Sequence, residues 1–162
     1  MNLQHFLQSI QMVAVPANTH AVYQTIADEI ASRTGHNVAV IEGTKDLNRN
    51  ALVLTCVPDM SIPTETCRLR INTDGVGTIK ATQLHLLFST VCYLFDYCGD
   101  VEIEQINAGS HDITTPFKWN RPSYDSMLTQ LQRTARGFDP KSQIRAYAMA
   151  GFSHVEVNAL ST

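Results

Sequence analysis

Residues 65–99 read ETCRLRINTDGVGTIKATQLHLLFSTVCYLFDYCG, and two different periods meet inside them. Cys67, Leu69 and Ile71 alternate with Arg68, Arg70 and Asn72, the period of a strand with one wet face. The segment TDGVG that follows supplies turn residues, so a hairpin is expected. From Leu84 the spacing changes: Leu84, Leu87, Phe88, Val91, Leu94 and Phe95 share one side of a helix, which Gly99 closes. A hairpin running into an apolar helix predicts a sheet with a helix laid on one face.

The flanking sequence extends that layer. IQMVAVPA (10–17) is a short apolar strand candidate ended by Pro16. NTHAVYQTIADEIASRTG (18–35) offers Asn18 or Thr19 as an N-cap, a ridge of Val22, Ile26 and Ile30, and Gly35 as a stop, which predicts an amphipathic helix. NVAVIEG and ALVLTCV are brief runs rich in β-branched residues, expected as two buried strands. VEIEQINAG, with Val101, Ile103 and Ile106 among acidic positions, is expected as an edge strand or extended connection. Together these elements predict an α+β sandwich, a mixed sheet with two helices on one face, over residues 1–112. After it the character changes. SHDITTPFKWNRPSYDSM is polar and proline-marked, DPKSQIRAYAMAG is a helix opening on Pro140 and stopped by Gly151, and FSHVEVNAL is a further strand. Strand, helix and strand over 113–162 form the opening of a βαβ repeat.

Composition narrows the partners. A chain of 162 residues can bury one core without disulfides or metals. A formal charge of -3 gives no sign of a polyanion, so nucleic acid is not an expected partner. No apolar run approaches the roughly 20 residues that span a bilayer. The N-terminal stretch lacks the basic start and apolar block of a signal peptide, so membrane attachment is not expected. The chain as it stands is expected in the cytoplasm, or outside it if Met1 is not the natural start. Cys56, Cys67, Cys92 and Cys98 fit no zinc pattern of close pairs, and their apolar settings predict inert thiols.

The layout resembles glycoside hydrolases that carry a small α/β domain before a (β/α)8 barrel: the β-N-acetylhexosaminidases and, more loosely, the α-glucuronidases. The hairpin and helix of 65–99 are similar to that accessory domain. PFKW ending at Trp119, then RGFDP with Arg136, Phe138 and Pro140, is similar to the linker and first barrel strand. KSQIRAYAMAGF and SHVEVNAL are similar to the first barrel helix and second strand. The resemblance implies a glycosidase acting on O-glycosyl bonds, with a carbohydrate substrate and no cofactor. It places the catalytic acids on later barrel strands, so this chain is expected to be a non-catalytic N-terminal portion. A stand-alone carbohydrate-binding or scaffold domain is the alternative.

At the C-terminal end of barrel strands, aromatic and cationic groups meet sugar. Arg136 is the expected substrate contact, because a guanidinium fork donates two hydrogen bonds to hydroxyls or a carboxylate; Arg133 competes for that role. Glu156 and Asn158 share one face of the last strand with His154 and are also expected to touch substrate. Trp119 is expected to pack a domain junction. His154 and Glu156 supply two ligands where a catalytic zinc takes three, so no metal is expected. Asp96, Asp100, Glu102 and Glu104 are expected to form a solvated acidic face.

Overall fold

The computed structural model describes residues 2–16, 21–44, 47, 49–58, 65–115 and 139–154. The element order among them is α1 (Leu3–Ser9), β1 (Met12–Val15), α2 (Ala21–Thr34), β2 (Ala39–Glu42), β3 (Ala51–Cys56), β4 (Glu65–Ile71), β5 (Val76–Ala81), α3 (Leu84–Tyr97), α4 (Ile103–Asn107), β6 (Ile113–Thr115) and α5 (Pro140–Met149). The fold is α+β. Six described strands form one mixed sheet in the order β2-β1-β3-β5-β4-β6. Strands β2, β1, β3 and β5 run parallel; β4 is antiparallel to both β5 and β6.

Register sorts the side chains into two faces. Val13 lies opposite Leu52, Leu52 opposite Gly77, and Gly77 opposite Ile71, so these four share a face. That face is sealed, as is its continuation through Val15, Leu54, Ile79 and Leu69. The α2 ridge at Ile26 and Ile30 is fully buried, and α2 and α3 pack on each other and on the strands. Each such aliphatic side chain contributes roughly 1.5–3 kcal/mol by leaving water. Phe6 of α1 reaches the sheet at Gly77, where an added Cβ would stand 2.5 Å from Phe6 Cζ. Gly77 is thus a packing glycine, kept small by an aromatic ring laid across it.

The hairpin turn forms as its residues dictate. Asn72 Oδ1 accepts hydrogen bonds from the amides of Asp74 (3.0 Å) and Val76 (2.9 Å), and Gly75 adopts φ +77°. Only a residue without Cβ takes that conformation freely.

Four expectations need correction or addition. VEIEQINAG forms no strand; it holds the short helix α4, because Ile103 and Ile106 bury at a spacing of three rather than two. Asn107 then substitutes for a strand at the edge of β4: its amide accepts from Ile71 N–H and donates to Ile71 C=O, both at 2.8 Å. NVAVIEG is a strand but not a buried one, since β2 pairs only with β1 and half its residues are exposed. Helix α3 is buried over more than one side, with Leu86, Ser89, Thr90 and Cys92 covered as well as Leu87, Val91 and Leu94, because α2, the sheet and α5 surround it. Helix α1 and strand β6 were not expected as elements. Their signals are weak: seven residues without a charge, and three residues beside a proline.

All four thiols are free, with Cys67, Cys92 and Cys98 buried and Cys56 half-buried. Burial pushes Cys67 and Cys92 up to about 11, and raises Cys56 and Cys98 as well. All four are protonated at neutral pH, which makes them poor nucleophiles. Among the described residues no helix is long and apolar enough to cross a membrane.

Candidate functional site

Helix α5 builds its own start. Asp139 caps it, accepting from Lys141 N–H (3.1 Å), Ser142 N–H (3.3 Å) and the Ser142 hydroxyl (2.5 Å). These bonds hold the Asp139 carboxyl below its usual range. Pro140 occupies the first turn, where a missing N–H costs nothing, and Gly151 at φ +81° follows the last turn. Its exit is packed by Tyr147 against Phe152, edge to face with centroids 5.7 Å apart.

The seat for α5 is the layer of α2 and α3. Its fixing point is Glu29, a carboxylate on the buried side of α2 with only 6% of its surface exposed. Arg145 of α5 donates to it from Nε (3.1 Å) and twice from Nη2 (2.6 and 2.7 Å). Arg33, one turn along α2, adds a 2.7 Å bond to Glu29 and reaches Asp96 of α3 at 2.5 Å. It also stacks over Phe95, 5.4 Å from the ring centre. Burial works to raise the Glu29 carboxyl, but the hydrogen bonds and charge of Arg145 and Arg33 outweigh it and hold the group below its usual range. Two carboxylates, Glu29 and Asp96, with Arg33 between them and Arg145 beyond, therefore tie three helices together.

Beside this clamp a cleft of about 770 Å³ opens between α2, α3 and α5. Val22, Phe88, Ile144 and Phe152 give it apolar walls, with Lys141 and Asp28 among its polar groups. A second cleft of about 320 Å³ lies between α3, β6 and the end of α5. His85 lines both. Its Nε2 is 3.1 Å from Glu65, a carboxylate on β4 that is 5% exposed. Burial, and then the nearby His154, lower the His85 pKa, which favours the neutral ring at pH 7. The adjoining Ser89 hydroxyl is turned back onto its own helix, donating to the His85 and Leu86 carbonyls at 3.3 Å. Among the described residues no nucleophile is set against the histidine. Among the described residues no group of three His, Cys, Asp or Glu side chains is placed to hold a metal ion.

Arg136, Glu156 and Asn158, the expected substrate contacts, lie outside the described residues, as do Arg133, Phe138 and Trp119. His154 is described and exposed, its Nδ1 2.8 Å from the Ser153 hydroxyl. The four acids expected as a solvated face, Asp96, Asp100, Glu102 and Glu104, are all exposed, and Asp96 in addition pairs with Arg33. Glu29, Arg145, Glu65 and His85 were not foreseen as a group. Glu29 did carry a signal, for it stands three residues after Ile26 and one before Ile30, a charge inside an apolar ridge. Its partner lies 116 residues away, and nothing local points there.

No family model matches the chain, and no curated protein matches it.

Proposed function

We propose that this chain is the non-catalytic N-terminal portion of a glycoside hydrolase acting on O-glycosyl bonds. In this reading its α+β body is an accessory domain that seats the first helix of a (β/α)8 barrel. The observation that supports the reading is the docking of α5, the helix that resembles the first barrel helix, onto the α2 and α3 layer through the Arg145 to Glu29 bonds. A domain that steadies a barrel needs a stiff contact with the barrel's outer ring of helices. A buried carboxylate gripped by two guanidinium groups supplies one. Two carboxylates at this contact are consumed in holding structure: Glu29 by two arginines and Asp96 by Arg33. Glycoside hydrolysis by a pair of acids needs two that face a substrate instead. Arg136, Glu156 and Asn158 remain the proposed sugar contacts.

The test is hydrolysis of a panel of aryl glycosides, N-acetylhexosaminides and glucuronides included. The complete gene product that carries residues 1–162 is predicted to turn over at least one of them, and the 162-residue chain alone none. Absence of turnover by the complete product contradicts the reading. So does turnover by the 162-residue chain that disappears in Glu156→Gln, since the catalytic carboxylate would then lie within it.

A further inference from the structure

We infer that the cleft between α1 and the end of α3 is a surface subsite for a neutral saccharide, built around the ring of Tyr97. The ligand class rests on the reading of this chain as part of a carbohydrate-active enzyme; the site itself rests on geometry. Tyr97 is 77% exposed, the most exposed of the large apolar side chains described. It is not loose: Tyr93, one turn earlier on α3, stands against it with centroids 5.7 Å apart. Such a ring presents a flat, slightly negative face to water. The axial C–H groups of a pyranose carry the complementary partial charge and the matching flatness.

Next to the ring is a concavity of about 290 Å³ whose other walls include Gln4, Gln8 and Asp100. Backbone bonds fix it: Leu3 N–H donates to Val101 C=O (2.7 Å) and Gln4 N–H to Gly99 C=O (2.9 Å), stitching the start of α1 to the turn after α3. Gln4 and Gln8 are one turn apart and both exposed, so their amides project side by side toward the cleft. Neither amide, nor the Asp100 carboxylate, is engaged by another described side chain. Amides donate and accept and a carboxylate accepts from two hydroxyls, the inventory that vicinal sugar hydroxyls require. Asp96, also in the wall, is already held by Arg33 and so contributes shape rather than a free acceptor. The described residues that wall it include no cation, so the cleft suits an uncharged ligand and not a uronate or phosphate. The site lies at the α1 end of the body, apart from the α5 cleft, where it would hold a polysaccharide chain near the enzyme without taking part in the reaction.

The experiment is a titration of the isotope-labelled chain, followed by amide and side-chain NMR, with cellotetraose and with the tetramer of N-acetylglucosamine. Sorbitol, a polyol without a ring face, is the control. The expected result is saturable shifts from one of the tetramers at Gln4, Gln8, Tyr97 and Gly99. Tyr97→Ala should weaken binding by roughly tenfold or more, and Tyr97→Trp should retain it. Because Tyr97 is exposed, neither variant should move the thermal midpoint. The inference is overturned if neither tetramer shifts these residues, if sorbitol shifts them equally, or if Tyr97→Ala binds as well as the parent. It is also overturned if the same residues shift with protein concentration alone, which would make the ring a contact between copies. Failure here leaves the hydrolysis test untouched, and saccharide binding without hydrolysis by the complete gene product upholds the subsite while sinking the enzyme reading.

Discussion

The sheet with α2 and α3 is held by side chains that water cannot reach, whereas α5 combines a short apolar contact, Ala148 and Met149 at the core's edge, with a charged cluster at the water's edge. In the first region Leu52, Leu54, Ile79 and Leu87 are at most 1% exposed. In the second, Ile144 is 48% exposed and Arg145, the residue that makes the joint, is about half exposed. Apolar burial is non-directional and sums over many contacts, so the body resists the loss of any one of them. A bidentate ion pair fixes position and angle through a few atoms, so it gives the docked helix a defined seat but little depth of stability.

The largest effect should come from the body. Ile79→Ala removes a fully buried side chain between α3 and the central strands and should cost about 2–5 kcal/mol in urea unfolding. A cost under about 1 kcal/mol would mean the core is less tightly packed than the burial implies. Gly77→Ala should follow at about 1–3 kcal/mol, because its new methyl meets the Phe6 ring. Gly77→Ala combined with Phe6→Leu should recover part of that loss, which separates a clash from a backbone effect.

The clamp should respond more mildly and more locally. Arg145→Ala should cost only about 1–2 kcal/mol overall, since water already screens one side of the guanidinium. Acid should act on the same contact. The Glu29 carboxyl is held below its ordinary value of 4.5, so the folded state binds fewer protons there than the unfolded chain. The stabilisation it brings is present above that value and is lost as pH falls through the lower folded-state pKa. Protection of α5 should therefore decline below pH 4.5 while the β3 and β5 amides stay protected. Glu29→Gln should remove this acid dependence; persistence of it in that variant would assign the effect to another group.

The same contrast explains what was legible in the sequence. The hairpin and α3 could be read because Cys67, Leu69 and Ile71 alternate and Leu87, Val91 and Leu94 recur, both of them short-range patterns tied to burial. The helix at Pro140 was equally plain from its cap and its glycine stop. Residues 101–109 were misread because three apolar residues among acids fit either period, and the decision fell to Asn107, whose amide bonds the edge of β4. The joint of Glu29 with Arg145 was invisible for a different reason. An ion pair between residues far apart in sequence leaves no periodic trace, and a glutamate in a ridge names no partner. Arg136 came from the resemblance, and Glu156 and Asn158 from strand alternation read within it; all three positions fall outside the described residues.

The reading of this chain as a seat for α5 is tested most directly by a double-mutant cycle on Glu29 and Arg145, read by hydrogen exchange of the amides of residues 143–149. Glu29→Gln and Arg145→Ala are each predicted to speed that exchange by roughly tenfold, with the double variant no faster than the more severe single one. Exchange in β3 and β5 should stay within a small factor of the parent. If the two substitutions act additively, or if α5 exchanges at the same rate with the clamp removed, Arg145 and Glu29 do not seat the helix and the account of this domain as a docking platform is wrong.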